Sequence, residues 1–189
     1  MSTTYRDDLS ALAKATGQVA NYCDHADHNE PLEASWVLGA AETVRNVAQR
    51  IATREGIDIV EAYAARLKQI ETRNVQGPFA EFDGPEAARR AKTWRELQRI
   101  QADHDRLYHP DVVGLHKADQ LQHYVLHLAK LVAALAEQPS SGQRHTDFVT
   151  RRLPDLLLFG IKLSTVMGQK LPDIPLPTAR LAPVATMVA

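Results

Sequence analysis

The 189-residue chain has 22 Lys and Arg residues against 23 Asp and Glu residues, and this balance argues against a nucleic-acid-binding protein, which carries a basic excess. Its single cysteine, Cys23, excludes an intramolecular disulfide and fits a cytoplasmic location. No uncharged apolar segment approaches the ~18 residues of a membrane span, and the first residues lack a signal-peptide pattern. We therefore expect a cytoplasmic protein with neither nucleic-acid nor membrane partners.

Apolar residues recur every three or four positions along most of the chain, which is the spacing of amphipathic helices. Polar segments, or segments rich in Gly and Pro, separate these stretches, and the longest of them is 74–85. No stretch alternates as a strand does, so the predicted fold class is all-α. The predicted helices run from Asp7 or Asp8 to the polar run 24–29, from Leu32 to about Arg54, from Asp58 past Ile70, from Gly84 to about Tyr108, and from His116 to Glu137.

The segment 151–173 is the most apolar in the chain. Leu156 to Ile161 leave no wide polar face, so a helix here must be buried nearly all round. Gly168 stands where a left-handed C-cap residue is expected, and Pro172 prevents the helix from continuing. We predict one domain, residues 1–173, of about six helices packed around this central helix. Because six helices leave part of it uncovered, we also expect a homo-oligomer, a dimer or larger.

The remaining residues, 174–189, are rich in proline. Proline at this density prevents a helix, because it lacks the backbone donor that a helix needs. An extended or disordered tail is therefore predicted.

Histidines line one face of the predicted fifth helix. His116, Gln120, His123, His127 and Lys130 follow one another at steps of three or four residues. Two histidines one turn apart can chelate a divalent metal, and nearby carboxylates such as Asp119 can complete a site. The same residues are equally well explained as the wet face opposite the apolar side of the helix.

Two segments resemble the all-α MazG-like nucleoside triphosphate pyrophosphohydrolases. Residues 152–173 resemble the later helix of these proteins, and residues 126–137 resemble the helix that carries their first acidic motif. In that superfamily the motifs Glu-x-x-Glu and Glu-x-x-Asp hold magnesium, which neutralises the phosphates of the substrate. The resemblance therefore implies a MazG-like helical bundle and a nucleotide or another phosphorylated small molecule as ligand.

The acidic positions of this pattern are mostly replaced here. Ala129, Lys130 and Ala133 occupy the first motif, Arg152 replaces the Glu of the second, and Asp155 alone is kept. Pro154 is a further departure, because a proline inside a helix costs ~3 kcal/mol. The resemblance thus implies a degenerate magnesium site in which Lys130 and Arg152 contact phosphates directly.

The leading hypothesis is a MazG-like protein that binds a nucleotide or other phosphorylated molecule at this degenerate site. The first alternative is an active phosphate-ester hydrolase that uses Asp155, His123 and His127, and the second is a regulatory or interaction module without catalysis. On the family analogy the histidine face lies opposite Asp155. The predicted ligand-binding residues are His116, Gln120, Lys130 and Arg152, and the predicted ligands of a divalent metal, magnesium or a transition metal, are Asp119, His123, His127 and Asp155.

Overall fold

The computed structural model describes residues 4–137 and 143–177. Within these ranges the regular secondary structure is helical, with a single isolated β-bridge between Thr93 and Pro175, and this confirms the all-α prediction. The helices are α1 (Tyr5–Asp27), α2 (Ala34–Glu55), α3 (Ile59–Arg73), α4 (Gly84–Arg90), α5 (Trp94–Tyr108), α6 (Pro110–Val113), α7 (Lys117–Ala136), α8 (Gln143–Asp147) and α9 (Leu153–Val166), with a π-helical turn at Phe148–Arg152 between α8 and α9.

Helix α9 is the centre of the fold. All residues from Leu153 to Ser164 are buried, and the helix contacts α2, α3, α5 and α7. The central buried helix predicted from the sequence is therefore confirmed. The other helices of the same chain cover this helix, so it has no large uncovered apolar surface that would require self-association. Self-association itself stays a prediction.

The two ends of α9 differ in their local structure. Pro154 lies in the first turn of α9, directly after the π-helical turn, and the residues before it, Arg152 and Leu153, also have right-handed helical dihedral angles. The energetic cost expected of a proline inside a helix therefore stays a prediction. At the other end Gly168 has a φ of +71°, and the N–H of Gln169 donates to the carbonyl of Ser164 at 2.9 Å. The predicted left-handed C-cap is confirmed.

The single helix predicted from Gly84 to Tyr108 is two helices, α4 and α5. Thr93 and Glu96 form a capping box, in which the Thr93 hydroxyl accepts from the N–H of Glu96 and the Glu96 carboxylate accepts from the N–H of Thr93. This box starts a new helix after a break at residues 91–93. The pattern Thr-x-x-Glu encodes this helix start in the sequence.

The first part of the predicted tail is extended and packs on the body. The N–H of Leu176 donates to the carbonyl of Lys92 at 2.9 Å, the carbonyl of Ile174 accepts from Trp94, and the Leu176 side chain is buried. The packed chain therefore continues past the predicted boundary at Asp173. Residues 178–189 lie outside the described residues.

Helices α2 and α9 approach each other closely at Gly160. A Cβ at this position would lie 2.6 Å from Cγ of Arg45 and 3.2 Å from the carbonyl oxygen of Ala41. The Arg45 guanidinium donates across the same contact, to the Gly160 carbonyl at 3.1 Å and to the Ser164 hydroxyl at 2.6 Å. Only a glycine lets the two helices interlock in this way.

None of the helices in the described ranges combines the length and the apolar character that crossing a membrane requires.

Candidate functional site

Two cavities lie side by side between α7 and α9, and Lys162 lines both. The histidine cavity, of about 130 Å³, has as its polar lining Arg66, His109, His123, His127, Asp155 and Lys162. The basic cavity, of about 280 Å³, has as its polar lining Asp105, Arg106, Lys117, Gln120, Tyr124 and Lys162, together with the Thr165 hydroxyl. Helices α5 and α6 supply the opposite wall of the basic cavity, whereas α3, His109 and α6 supply that of the histidine cavity.

The imidazoles of the histidine cavity are packed against one another and against an aromatic ring. The centroids of His123 and His127 are 4.8 Å apart, and His127 stacks on Phe159 at 4.7 Å. Burial lowers the pKa of His127 to about 4, with further contributions from His123 and Lys130. Burial and then the charge of Lys162 also lower the pKa of His123 and of His109. These imidazoles are therefore neutral at neutral pH.

The carboxylate of Asp155 forms an ion pair with Arg66. Its carboxylate accepts two hydrogen bonds from Arg66 on α3, at 2.6 Å from Nε and 3.2 Å from the terminal nitrogen. Burial raises the pKa of Asp155, and the Arg66 hydrogen bonds oppose that rise. Both side chains are mostly buried, so the pair forms a fixed wall of the cavity rather than a free carboxylate.

Lys162 is a buried cation on the central helix. Its ammonium group lies 2.7 Å from the Asp105 carboxylate, and the two side chains are 8% and 9% exposed. The same Asp105 oxygen accepts from the Gln101 amide, whose own oxygen accepts from the Tyr63 hydroxyl. This network spans α3, α5 and α9 and holds a positive charge at the boundary between the two cavities.

Sequence reasoning missed both Lys162 and Asp105. A lone lysine inside the apolar segment that ends at Leu163 was a usable signal, because a buried lysine needs a charged partner. Its partner, on α5, could not be identified before the helices were packed together.

Two further cations stand at the rim of the basic cavity. Arg106 is exposed and pairs with Asp103, while Lys117, in the first turn of α7, forms no ion pair with any residue in the described ranges. The Gln120 amide donates to the carbonyls of Val113 and Leu115, which fixes the connection between α6 and α7 beside the opening.

The predicted site residues fall into three groups. His123, His127 and Asp155 line the histidine cavity, and Gln120 lines the basic cavity. The others line neither cavity. His116 is the exposed N-cap of α7, Asp119 and Lys130 are exposed on α7, and Arg152 points to Asp147 at 3.5 Å.

The predicted metal ligands Asp119, His123, His127 and Asp155 are not gathered around one point. Among residues 4–137 and 143–177, no group of three or more His, Cys, Asp or Glu side chains is arranged to hold a metal ion. The physical reasons are that Asp119 is exposed outside the cavities and that Asp155 is held by Arg66. The structure brings His123 and His127 together beside the Asp155–Arg66 ion pair, and a metal site stays a prediction.

The chain matches no known protein family, no curated protein and no solved structure. The resemblance to MazG-like proteins thus stays a prediction. What the protein does has to be inferred from the chemistry of its two cavities.

Proposed function

We propose that this protein binds a small phosphorylated molecule, with the phosphoryl group in the basic cavity against Lys162 and the rest of the ligand extending into the histidine cavity. A nucleotide is one member of this class. The observation that carries the proposal is Lys162, a buried ammonium group that lines both cavities and is matched by a single carboxylate within hydrogen-bonding distance among the described residues.

The charges around the cavities favour an anion. Arg66, Arg106, Lys117 and Lys162 line the two cavities, whereas the lining carboxylates are those of Asp105 and Asp155. Ammonium and guanidinium groups form charge-assisted hydrogen bonds with phosphate oxygens, which are stronger than hydrogen bonds between neutral groups. A cation as enclosed as Lys162 is also screened less by water and salt than the rim cations are.

The histidine cavity suits an uncharged, polar part of the ligand. Its imidazoles are neutral, and each can donate one hydrogen bond and accept another. The His127–Phe159 stack also lines this cavity and offers an apolar contact beside them. The two cavities together can therefore accommodate the phosphoryl group of a ligand and an uncharged remainder that forms hydrogen bonds.

Removing the rim cations should weaken anion binding. In the double variant Arg106→Gln/Lys117→Gln we expect sulfate and inorganic phosphate to bind about tenfold or more weakly, because hydrogen bonds to charged groups contribute about 1.5–3 kcal/mol each. Isothermal titration calorimetry on the full chain measures this change.

The matched control is Lys14→Gln, which removes an exposed lysine on α1 that lines neither cavity. It should bind both anions as the wild type does. Equal affinities in all three proteins, or no binding by the wild type, would contradict the proposal.

Anion binding should strengthen as the pH falls. The pKa of His127 is lowered to about 4 and that of His123 is also lowered, chiefly by burial, so both imidazoles are neutral when the ligand arrives. A bound dianion stabilises the imidazolium form and raises these pKa values in the complex. Binding then takes up protons, so affinity rises by up to about tenfold per pH unit for each imidazole protonated.

Sulfate is the probe for this experiment, because it stays a dianion across the range from about pH 8 to about pH 5, whereas a phosphate monoester titrates near ~6. The other groups whose charges shift the pKa of the two imidazoles are Lys162, Lys130, His109 and Asp111. In His123→Asn/His127→Asn the pH dependence should flatten. Divalent metals, tested alongside as zinc and magnesium salts, would show the opposite sign, because only neutral imidazole ligates a metal.

A further inference from the structure

We propose that His123 accepts the phosphoryl group of the bound ligand, which makes this protein a phosphoryl-transfer protein with a phosphohistidine intermediate. This inference rests on the proposed function, since it needs a phosphorylated ligand in the basic cavity. It goes beyond that function in naming a covalent step, its nucleophile and the chemical class of the donor.

His123 stands where the two cavities meet. On α7, Gln120 and Tyr124 line the basic cavity while His123 and His127 line the histidine cavity, so His123 is beside residues of both. Lys162 lines both cavities from the facing helix α9. Because Lys162 also lines the cavity of His123, a phosphoryl group bound to the ammonium group of Lys162 can face that cavity.

The His123 ring is available as a nucleophile. It is partly exposed, and neither ring nitrogen forms a hydrogen bond with residues 4–137 or 143–177. Its contacts are ring contacts, with Tyr124 at 5.9 Å and His127 at 4.8 Å between centroids. Its pKa in the unliganded protein is lowered, which opposes the rise caused by a bound dianion and leaves the lone pair of one nitrogen available at neutral pH, as nucleophilic catalysis by histidine requires.

The neighbouring side chains suit other roles. His127 is stacked on Phe159 at an interplanar angle of 25°, which fixes its ring against α9. Asp155 is bound twice by Arg66, so its carboxylate is held in an ion pair. These contacts favour His123 over His127 as the nucleophile, and the catalytic role of Asp155 stays a prediction.

The step balances without a metal or a redox partner. The lone pair of one His123 ring nitrogen forms the bond to phosphorus, and the bond between phosphorus and the leaving oxygen breaks, with its electron pair going to that oxygen. The proton on the other ring nitrogen is released to solvent. A donor with a good leaving group needs no general acid, so the donor class is an acyl phosphate, whose leaving group is a carboxylate. Lys162 and Arg106 balance the charge on the transferred group.

Incubation of the full-length protein with acetyl phosphate tests the proposal. Intact-mass spectrometry should show a gain of one phosphoryl group that is lost in acid and survives alkali, the behaviour of a phosphorus–nitrogen bond. The label should be absent from His123→Asn and His123→Gln. It should be retained in His116→Asn, where an exposed histidine outside both cavities is removed from the same helix. Circular dichroism confirms that each variant is folded.

Sulfate titration of the same samples separates the two proposals. A wild type that binds sulfate but gains no phosphoryl group overturns the role of His123 and leaves the proposed function standing. Labelling of both His123 variants at the wild-type level overturns it as well, because the phosphoryl group then sits elsewhere. A wild type that neither binds sulfate nor becomes labelled overturns both proposals.

Discussion

Replacing Lys162 by methionine is expected to cost about 3–5 kcal/mol of unfolding free energy, the usual effect of removing one partner of a buried ion pair. The ammonium group of Lys162 lies 2.7 Å from Asp105, and both side chains are less than a tenth exposed. Methionine has a similar volume, so the loss comes from the uncompensated carboxylate rather than from a cavity. Urea unfolding followed by circular dichroism measures the change.

A double-mutant cycle shows whether the carboxylate is the cause. In Lys162→Met/Asp105→Asn the charge is removed from both sides, and the asparagine oxygen can still accept from Gln101. We expect the double variant to recover most of the lost stability, since a neutral replacement of a buried ion pair is often close to neutral in energy. Arg90→Met breaks the exposed pair with Glu86 and should cost less than ~1 kcal/mol. A Lys162→Met protein as stable as Arg90→Met would mean that Lys162 is not buried as described.

Truncating Leu157 to alanine should cost about 2–5 kcal/mol, because a large side chain in a closed core leaves a cavity that its neighbours only partly fill. Leu157 is fully buried in the middle of α9, which contacts α2, α3, α5 and α7. The matched control is Leu126→Ala on α7, where the side chain is 64% exposed and the loss should be within ~0.5 kcal/mol. Equal midpoints for the two variants in urea would show that the core has been misplaced.

The helices and the burial of α9 could be predicted from the sequence because both depend on local patterns. Apolar spacing defines α1, α2, α3, α5 and α7, and the run from Leu156 to Ile161 is apolar all round. Gly168 and Asp58 were recognised because capping needs particular residue types at particular positions. The break at residues 91–93 was missed, although Thr93 and Glu96 encode it, because the apolar spacing continues across it.

The site was predictable only in part, since its residues come from distant elements. His123 and His127 follow from helical spacing, and Asp155 was placed opposite them through the family resemblance. Arg66 on α3, Asp105 on α5 and His109 directly after α5 also line the cavities, and no local pattern connects these residues to α7. Conversely, Lys130 and Asp119 share the helix with the histidines yet stay in solvent, because α9 covers only part of that face.

The interlock at Gly160 also limits how the cavities can open. Arg45 fills the space beside Gly160 and bonds to both Gly160 and Ser164, so α9 cannot slide along α2 without breaking these bonds. The cavity wall formed by α9, which carries Asp155 and Lys162, is therefore held in a fixed position against α2. Entry of a ligand larger than the cavities must come from movement of the opposite wall, where the four-residue helix Pro110–Val113 is bounded by His109 and Gly114. Under the proposed function, the size of the ligands that can enter would accordingly be set by this short segment, while the α9 wall stays fixed.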